Sequence, residues 1–180
     1  MPKQLDMMRY IASGALFSEP DRRHRYLLWR QWDAALPSIL WIMLNPSTAD
    51  EHVLDPTLKK VEKISRAHGY GAFQVANLYA LRSPNPNALL ASIDTVGSLN
   101  DLHIMSASMV SDAVVIAWGS HKAVPQRADV VRALLHRKTD AEWTHGVMCL
   151  GCNKDHQPVH PLYQPDAAKL RPYVWQRVGV

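Results

Sequence analysis

Two kinds of hydrophobic pattern alternate along this chain. Ile39 to Leu44 is an unbroken apolar run, too short to cross a bilayer and rich in side chains that suit a pleated sheet. It predicts a strand buried on both faces. Ala72 to Leu78, Ala113 to Gly119 and Gly146 to Gly151 read the same way. Between these runs the apolar positions take a helical period. Leu58, Val61, Ile64 and, less regularly, Ala67 share one face of a helix that starts with Asp55 as cap and Pro56 at its first position, and ends at Gly69. Pro125 to Arg137 predicts a second helix, with Val130, Val131, Leu134 and Leu135 inward. Further helical signals fall at Asn87 to Ala91 and at Asn100 to Met109, where Leu102, Met105 and Met109 form the predicted shared face. Tyr26 to Arg30 predicts a first strand, near enough in sequence to Ile39 to pair antiparallel with it. The segment before about Pro20 shows no clear period and stays unassigned. Strand and helix alternating at crossover spacing predict a three-layer α/β/α sandwich with a mostly parallel central sheet.

Polar residues gather where the predicted strands stop. The run from Ile39 ends at Asn45-Pro46, and proline cannot donate to a sheet ladder, so the chain must leave the sheet there. Ser47, Thr48 and Asp50 follow, all able to bond backbone groups. Open α/β sheets bind ligands beyond the carboxyl ends of their strands, which makes Asn45 to Asp55 the first candidate loop. Asn77 and Arg82, Trp118 to His121, and the loop around His160 would share that edge. His160 lies between Val159 and Pro161 with Pro158 before them, so its backbone is held extended. A held imidazole suits a proton donor or a stabiliser of developing negative charge, and the alternative is a surface histidine. For Asp50 and Asp55 the alternatives to chemistry are closing a turn and capping a helix.

Composition narrows the field without choosing within it. At 180 residues, 47% hydrophobic and 20% charged, the chain reads as one domain over 1–180 of ordinary globular type. No export segment or membrane-length run is seen, so a cytoplasmic location without a membrane partner is expected. The two cysteines argue against a disulfide framework. A formal charge of +4 permits a polyanionic partner. Arg22-Arg23-His24-Arg25, with Arg30 behind it, reads either as a solvated turn or as a phosphate-contacting rim. Cys149 and Cys152 with His156 and His160 are zinc-type donors, but the spacing between Cys152 and His156 is far shorter than in classical fingers. The other possibility is an apolar strand cysteine and a free loop thiol, and neither metal nor cofactor is assigned. The chain lacks a glycine-rich phosphate loop, a dinucleotide fingerprint and a nucleophile elbow, which argues against kinase, dehydrogenase and serine hydrolase chemistry.

The motifs Leu44-Asn45-Pro46-Ser47-Thr48-Ala49-Asp50, Asp55-Pro56-Thr57, Asn77-Leu78-Tyr79-Ala80-Leu81-Arg82, Ala117-Trp118-Gly119 and His160-Pro161-Leu162-Tyr163 resemble, in order, a bacterial and phage family of unknown function. Their order is also similar to that of the uracil-DNA glycosylase superfamily, which has an α/β/α sandwich. That resemblance implies that Asn45 holds the attacking water, Asn77 bonds a base edge and His160 stabilises charge on the leaving base. Leu162 would be the wedge that extrudes a nucleotide. Asp50 joins Asn45 and His160 as a catalytic candidate; Ser47, Thr48, Asp55, Asn77, Arg82, Trp118 and Leu162 are the substrate-binding ones. The expected partner is nucleic acid or a nucleotide. Pro-Ser-Thr after Asn45 and Leu162 directly after Pro161 depart from the glycosylase pattern. The readings carried forward are a glycosylase-like enzyme on modified DNA, a base-binding module of a phage or defence system, and a base-modifying transferase.

Overall fold

The computed structural model describes residues 10–135 and 146–175. The predicted helix end at Arg137 lies outside the described residues. Among the described residues, seven strands form one sheet: β1 (Ala12–Phe17), β2 (Arg25–Gln31), β3 (Ser38–Met43), β4 (Ala72–Asn77), β5 (Ala113–Ile116), β6 (Val147–Cys149) and β7 (Arg171–Pro172). Their order is β1-β2-β4-β3-β5-β6-β7. The strand from Ser38 to Met43 sits at the centre, parallel to β4 on one side and β5 on the other, and β6 continues the parallel block. That position explains its composition: Ile39 to Ile42 are fully buried, as two covered faces require.

Helices cover both faces. Helix α1 (Pro56–Ala67) packs Leu58, Val61 and Ile64 against Trp41, Phe73 and Val115. It forms where the sequence predicts: the Asp55 carboxylate accepts from the Leu58 amide, Pro56 opens the helix, and Gly69 takes the left-handed φ of +79° just past its end. The indole of Trp41 reaches this helix and donates to the Ser65 hydroxyl at 3.0 Å. A short α2 (Ala88–Ala91) leads to α3 (Asn100–Val110); α3 and α4 (Val124–Leu135) cover the opposite face, with Ile104, Val124 and Val131 against Leu40, Ile42 and Ile116.

Five expectations are corrected. First, β2 pairs antiparallel with β4 and β1, not with β3. Both edges of β3 are occupied by parallel neighbours, so the incoming strand takes the free edge of β4. The Trp32 and Asp33 amides donate to the Gly71 carbonyl and fix that crossing. Second, the sheet has the expected parallel block, of four strands, but antiparallel strands lie at both of its edges, β1 and β2 on one side and β7 on the other. Third, the unassigned amino-terminal segment contains β1, whose edge position leaves its side chains half-buried and erases the alternation a covered strand shows. Fourth, α3 turns Asn100, Ile104, Ala107 and Ser108 inward, while Leu102 and Met109 are about half exposed. The Asn100 amide donates to the Asn77 and Leu78 carbonyls, which tethers this face of the helix to the end of β4. Fifth, Val130 of α4 faces outward where an inward position is expected.

Candidate functional site

A cleft of about 680 Å³ opens beyond the carboxyl ends of β3 and β5, between the loop that follows β3, the Trp118-Gly119 turn and the His160 loop. Asn45, Ser47, Asp55, Trp118, His160 and Leu162 all line it, as the sequence reading places them. Thr48, Asp50, Asn77 and Arg82 do not.

Asn45 leaves β3 as the chain turns at Pro46. Its Nδ2 donates to the carbonyls of Pro46 at 3.0 Å and Ser83 at 2.9 Å. Carbonyl oxygens only accept, so these bonds decide which side of the amide is NH2 and leave Oδ1 as an acceptor. His160 precedes a 3-10 turn, Pro161–Tyr163, and its Nδ1 accepts from the Leu162 amide at 3.3 Å. The proton of the neutral ring therefore sits on Nε2. Burial pushes this imidazole's pKa below its ordinary 6.5, against an opposing pull from the Asp55 carboxylate, so the neutral form prevails at neutral pH. The cleft thus holds an oriented amide acceptor and an N–H donor.

The walls are fixed by short-range packing. Trp118 is buried and its indole donates to Gln157 Oε1 at 2.9 Å. Gly119 follows at φ +73°, a left-handed conformation; its amide donates to the Pro158 carbonyl, and a β-carbon there would lie 3.4 Å from the β-carbon of His160. A β-carbon would fit beside His160 at that distance, so it is the left-handed turn that favours glycine here. Leu162 and the largely exposed Tyr163 stand at the rim.

The other predicted residues serve the surroundings. The Asp50 carboxylate accepts from the His52 and Val53 amides, both at 2.8 Å, and closes a turn. Burial opposes its charge, but those amides together with nearby His52 and Arg82 hold its pKa below the ordinary value. Thr48 is exposed outside the cleft. Arg82 donates to the Arg22 carbonyl and lies over the Phe17 ring. Asn77 is fully buried, in register with Met43 of the cleft lining, and neither atom of its side-chain amide has a hydrogen-bond partner.

Among the lining residues outside the site assignment, Arg25 carries the charge that matters most. The signal was present as a basic cluster before a strand, but position alone does not separate a solvated arginine from a buried one. Arg23 is exposed, as a solvated turn predicts, but neither a solvated turn nor a surface rim describes Arg25. Arg25 and Arg30 are both buried, Arg22 pairs with Glu51, and only Arg25 reaches the cleft. The zinc-type donors do not assemble: among the described residues no group of three or more histidine, cysteine or acidic side chains is placed to hold a metal. Cys149 is buried in β6, which pushes its thiol up to about 11; Cys152 is exposed, and His156 sits at φ +62° in a turn. Among the described residues no helix is long and apolar enough to cross a membrane.

Residues 25–162 match the model of a family described as "Protein of unknown function (DUF1643)". No curated protein and no solved structure matches the chain.

Proposed function

We propose that this chain, which belongs to the DUF1643 family of proteins of unknown function, is a base-recognising hydrolase of the cytoplasm that cleaves an N-glycosidic bond in modified DNA or a nucleotide. The observation that carries this reading is the pairing, in one cleft, of an amide acceptor held by backbone carbonyls with a neutral imidazole whose Nε2–H is free to donate. Such a reaction passes through a sugar with oxocarbenium character while the base departs with its electron pair, so it needs a placed water and a donor for the leaving anion, not a strong nucleophile. Asn45 Oδ1 orients the water toward the sugar carbon. The water oxygen bonds that carbon as the bond to the base breaks, and the proton it releases passes to Asp55, the carboxylate lining the same cleft. His160 donates to the departing base. The resemblance of the motif order to that of the uracil-DNA glycosylases supports this assignment of roles, as does the helix-covered mixed sheet.

Asn77, with an unused donor and acceptor in register with Met43 of the cleft lining, suits a base edge. A neutral amide is a weak base, so turnover is slow compared with that of an enzyme using a carboxylate in the place of Asn45.

The test is incubation of the protein with oligonucleotides carrying normal, deaminated and hypermodified bases, with released base read by mass spectrometry and abasic sites by alkaline cleavage. Release that disappears in Asn45→Ala and His160→Ala is the expected result. A second reading, binding without cleavage, is favoured by the state of Asp55, whose Oδ1 already accepts from the Leu58 amide. Thermal stabilisation by a base or nucleotide without any product would select that reading.

A further inference from the structure

Arg25 is 1% exposed, yet its side chain makes one hydrogen bond, from Nη1 to the Ala49 carbonyl at 2.9 Å. Its Nε is buried without a partner, and among the described residues no carboxylate lies within ion-pair distance of it. A guanidinium carries five donors and does not give up its proton under physiological conditions. Buried charges are ordinarily paired, because stripping water from a cation without replacing it is costly. Arg30 offers no relief: another cation, it donates instead to the Asp50 carbonyl at 2.9 Å. Asp55 faces the same cleft and exerts a field on Arg25 without touching it. Burial, with Arg82 and Arg30 nearby, drives the pKa of Arg25 down to about 10, which marks how little its surroundings compensate the charge.

We propose that Arg25 is the anchor of a phosphate subsite in the cleft, and that the substrate is therefore a phosphorylated nucleotide unit, not a free base or nucleoside. The planar fork of arginine matches the spacing of phosphate oxygens and takes them in pairs. Ser47 and Thr57 line the same cleft and bring hydroxyl donors to it. This inference rests on the reading of the cleft as a nucleobase pocket and adds the anionic part of the ligand. The phosphate belongs either to a free mononucleotide or to a polynucleotide backbone, and the two are distinguished by which ligand binds.

The experiment is calorimetric titration of the wild-type protein with inorganic phosphate, thymidine, thymidine 5′-monophosphate and a thymidine dodecamer, repeated with Arg25→Lys and Arg25→Gln. The expected result is that the monophosphate or the dodecamer binds at least tenfold tighter than thymidine, and that inorganic phosphate competes for the same site. A tighter mononucleotide assigns the subsite to free nucleotides, and a tighter dodecamer assigns it to a strand. Arg25→Lys, which keeps the charge and loses the fork, weakens the phosphorylated ligand about tenfold and leaves thymidine unchanged. Equal affinity for thymidine and its phosphorylated forms, or failure of all of them to bind, overturns the proposal; this holds even where an Arg25 variant does not fold, because the comparison is made on the wild type. Base release without phosphate preference removes only the subsite. Phosphate preference without base release removes the hydrolase and leaves the subsite standing.

Discussion

Two buried arginines flank the end of the same strand, and they are treated in opposite ways. On the face covered by α3 and α4, Arg127 donates from Nε to the Leu78 carbonyl at 3.0 Å and pairs with Asp101. On the α1 side, Arg25 has one carbonyl in contact and, among the described residues, no carboxylate. Both are less than a tenth exposed. A buried cation with partners holds structure together; one without them is a cost the fold bears, and it lies in the lining of the cleft. Asn77 repeats the contrast within one residue: its carbonyl receives the Asn100 amide on the helical side, while its own side-chain amide has no partner. Unsatisfied polar groups of this kind are rare in native proteins and call for a ligand or a water.

The sharpest test of that contrast is on activity. Asn45→Ala and His160→Ala should each lower base release by about a hundredfold or more, the usual loss when one preorganised polar group is removed from a reacting centre. Both variants should stay folded, with a loss of about 1 kcal/mol for Asn45→Ala, whose Nδ2 bonds two loop carbonyls; a collapse of the fold in both would make the loops scaffolding.

Next in size is a paired substitution to methionine. Arg127→Met takes one of two donors from the Leu78 carbonyl, leaving the Asn100 amide, and frees Asp101, which is partly exposed and can rehydrate, so a loss of about 1 kcal/mol is expected in urea unfolding. Arg25→Met should be neutral or slightly stabilising in the same measurement, because an unpaired buried charge is exchanged for an apolar chain of similar size. Equal losses in the two variants would erase the distinction between them.

An effect of similar size is expected at Asp55. Asp55→Ala removes the cap of α1 and should cost about 1 kcal/mol, whereas Asp55→Asn keeps a capping oxygen and most of the stability. If Asp55 receives the proton in the reaction, the asparagine variant loses activity while remaining folded.

The smallest effect concerns pH. Because burial lowers the folded-state pKa of His160, the unfolded chain takes up a proton first as pH falls. The stability contributed by the neutral ring is therefore complete above about pH 6.5 and declines as pH drops from there toward the folded value. His103 is shifted in the same direction by burial, so the difference between wild type and His160→Gln across this window isolates the His160 part. A flat difference would mean that the ring is solvated in the folded state.

Much of this architecture is legible in the order of residues. The apolar run at Ile39 and the Asp55-Pro56 start of α1 are local signals, set by strand burial and helix capping, and the structure follows both. So does the gathering of Asn45, Asp55, Trp118 and His160, because strand ends in a parallel block share one edge whatever the details between them. Local pattern fails where a partner distant in sequence decides. The pairing of β2 depended on which sheet edge was left free, and α3 turns inward the face that Asn100 tethers to the end of β4.

The sequence by itself determined the alternation of strand and helix, the helix caps and the loops that carry polar groups, since each depends on neighbours a few residues away. Tertiary structure alone decided that Arg25 is buried with no carboxylate partner among the described residues, that Asp50 closes a turn, and that Asn77 lies beneath the cleft lining. Charge is a property of a residue, but its solvation and its partners belong to the surrounding fold.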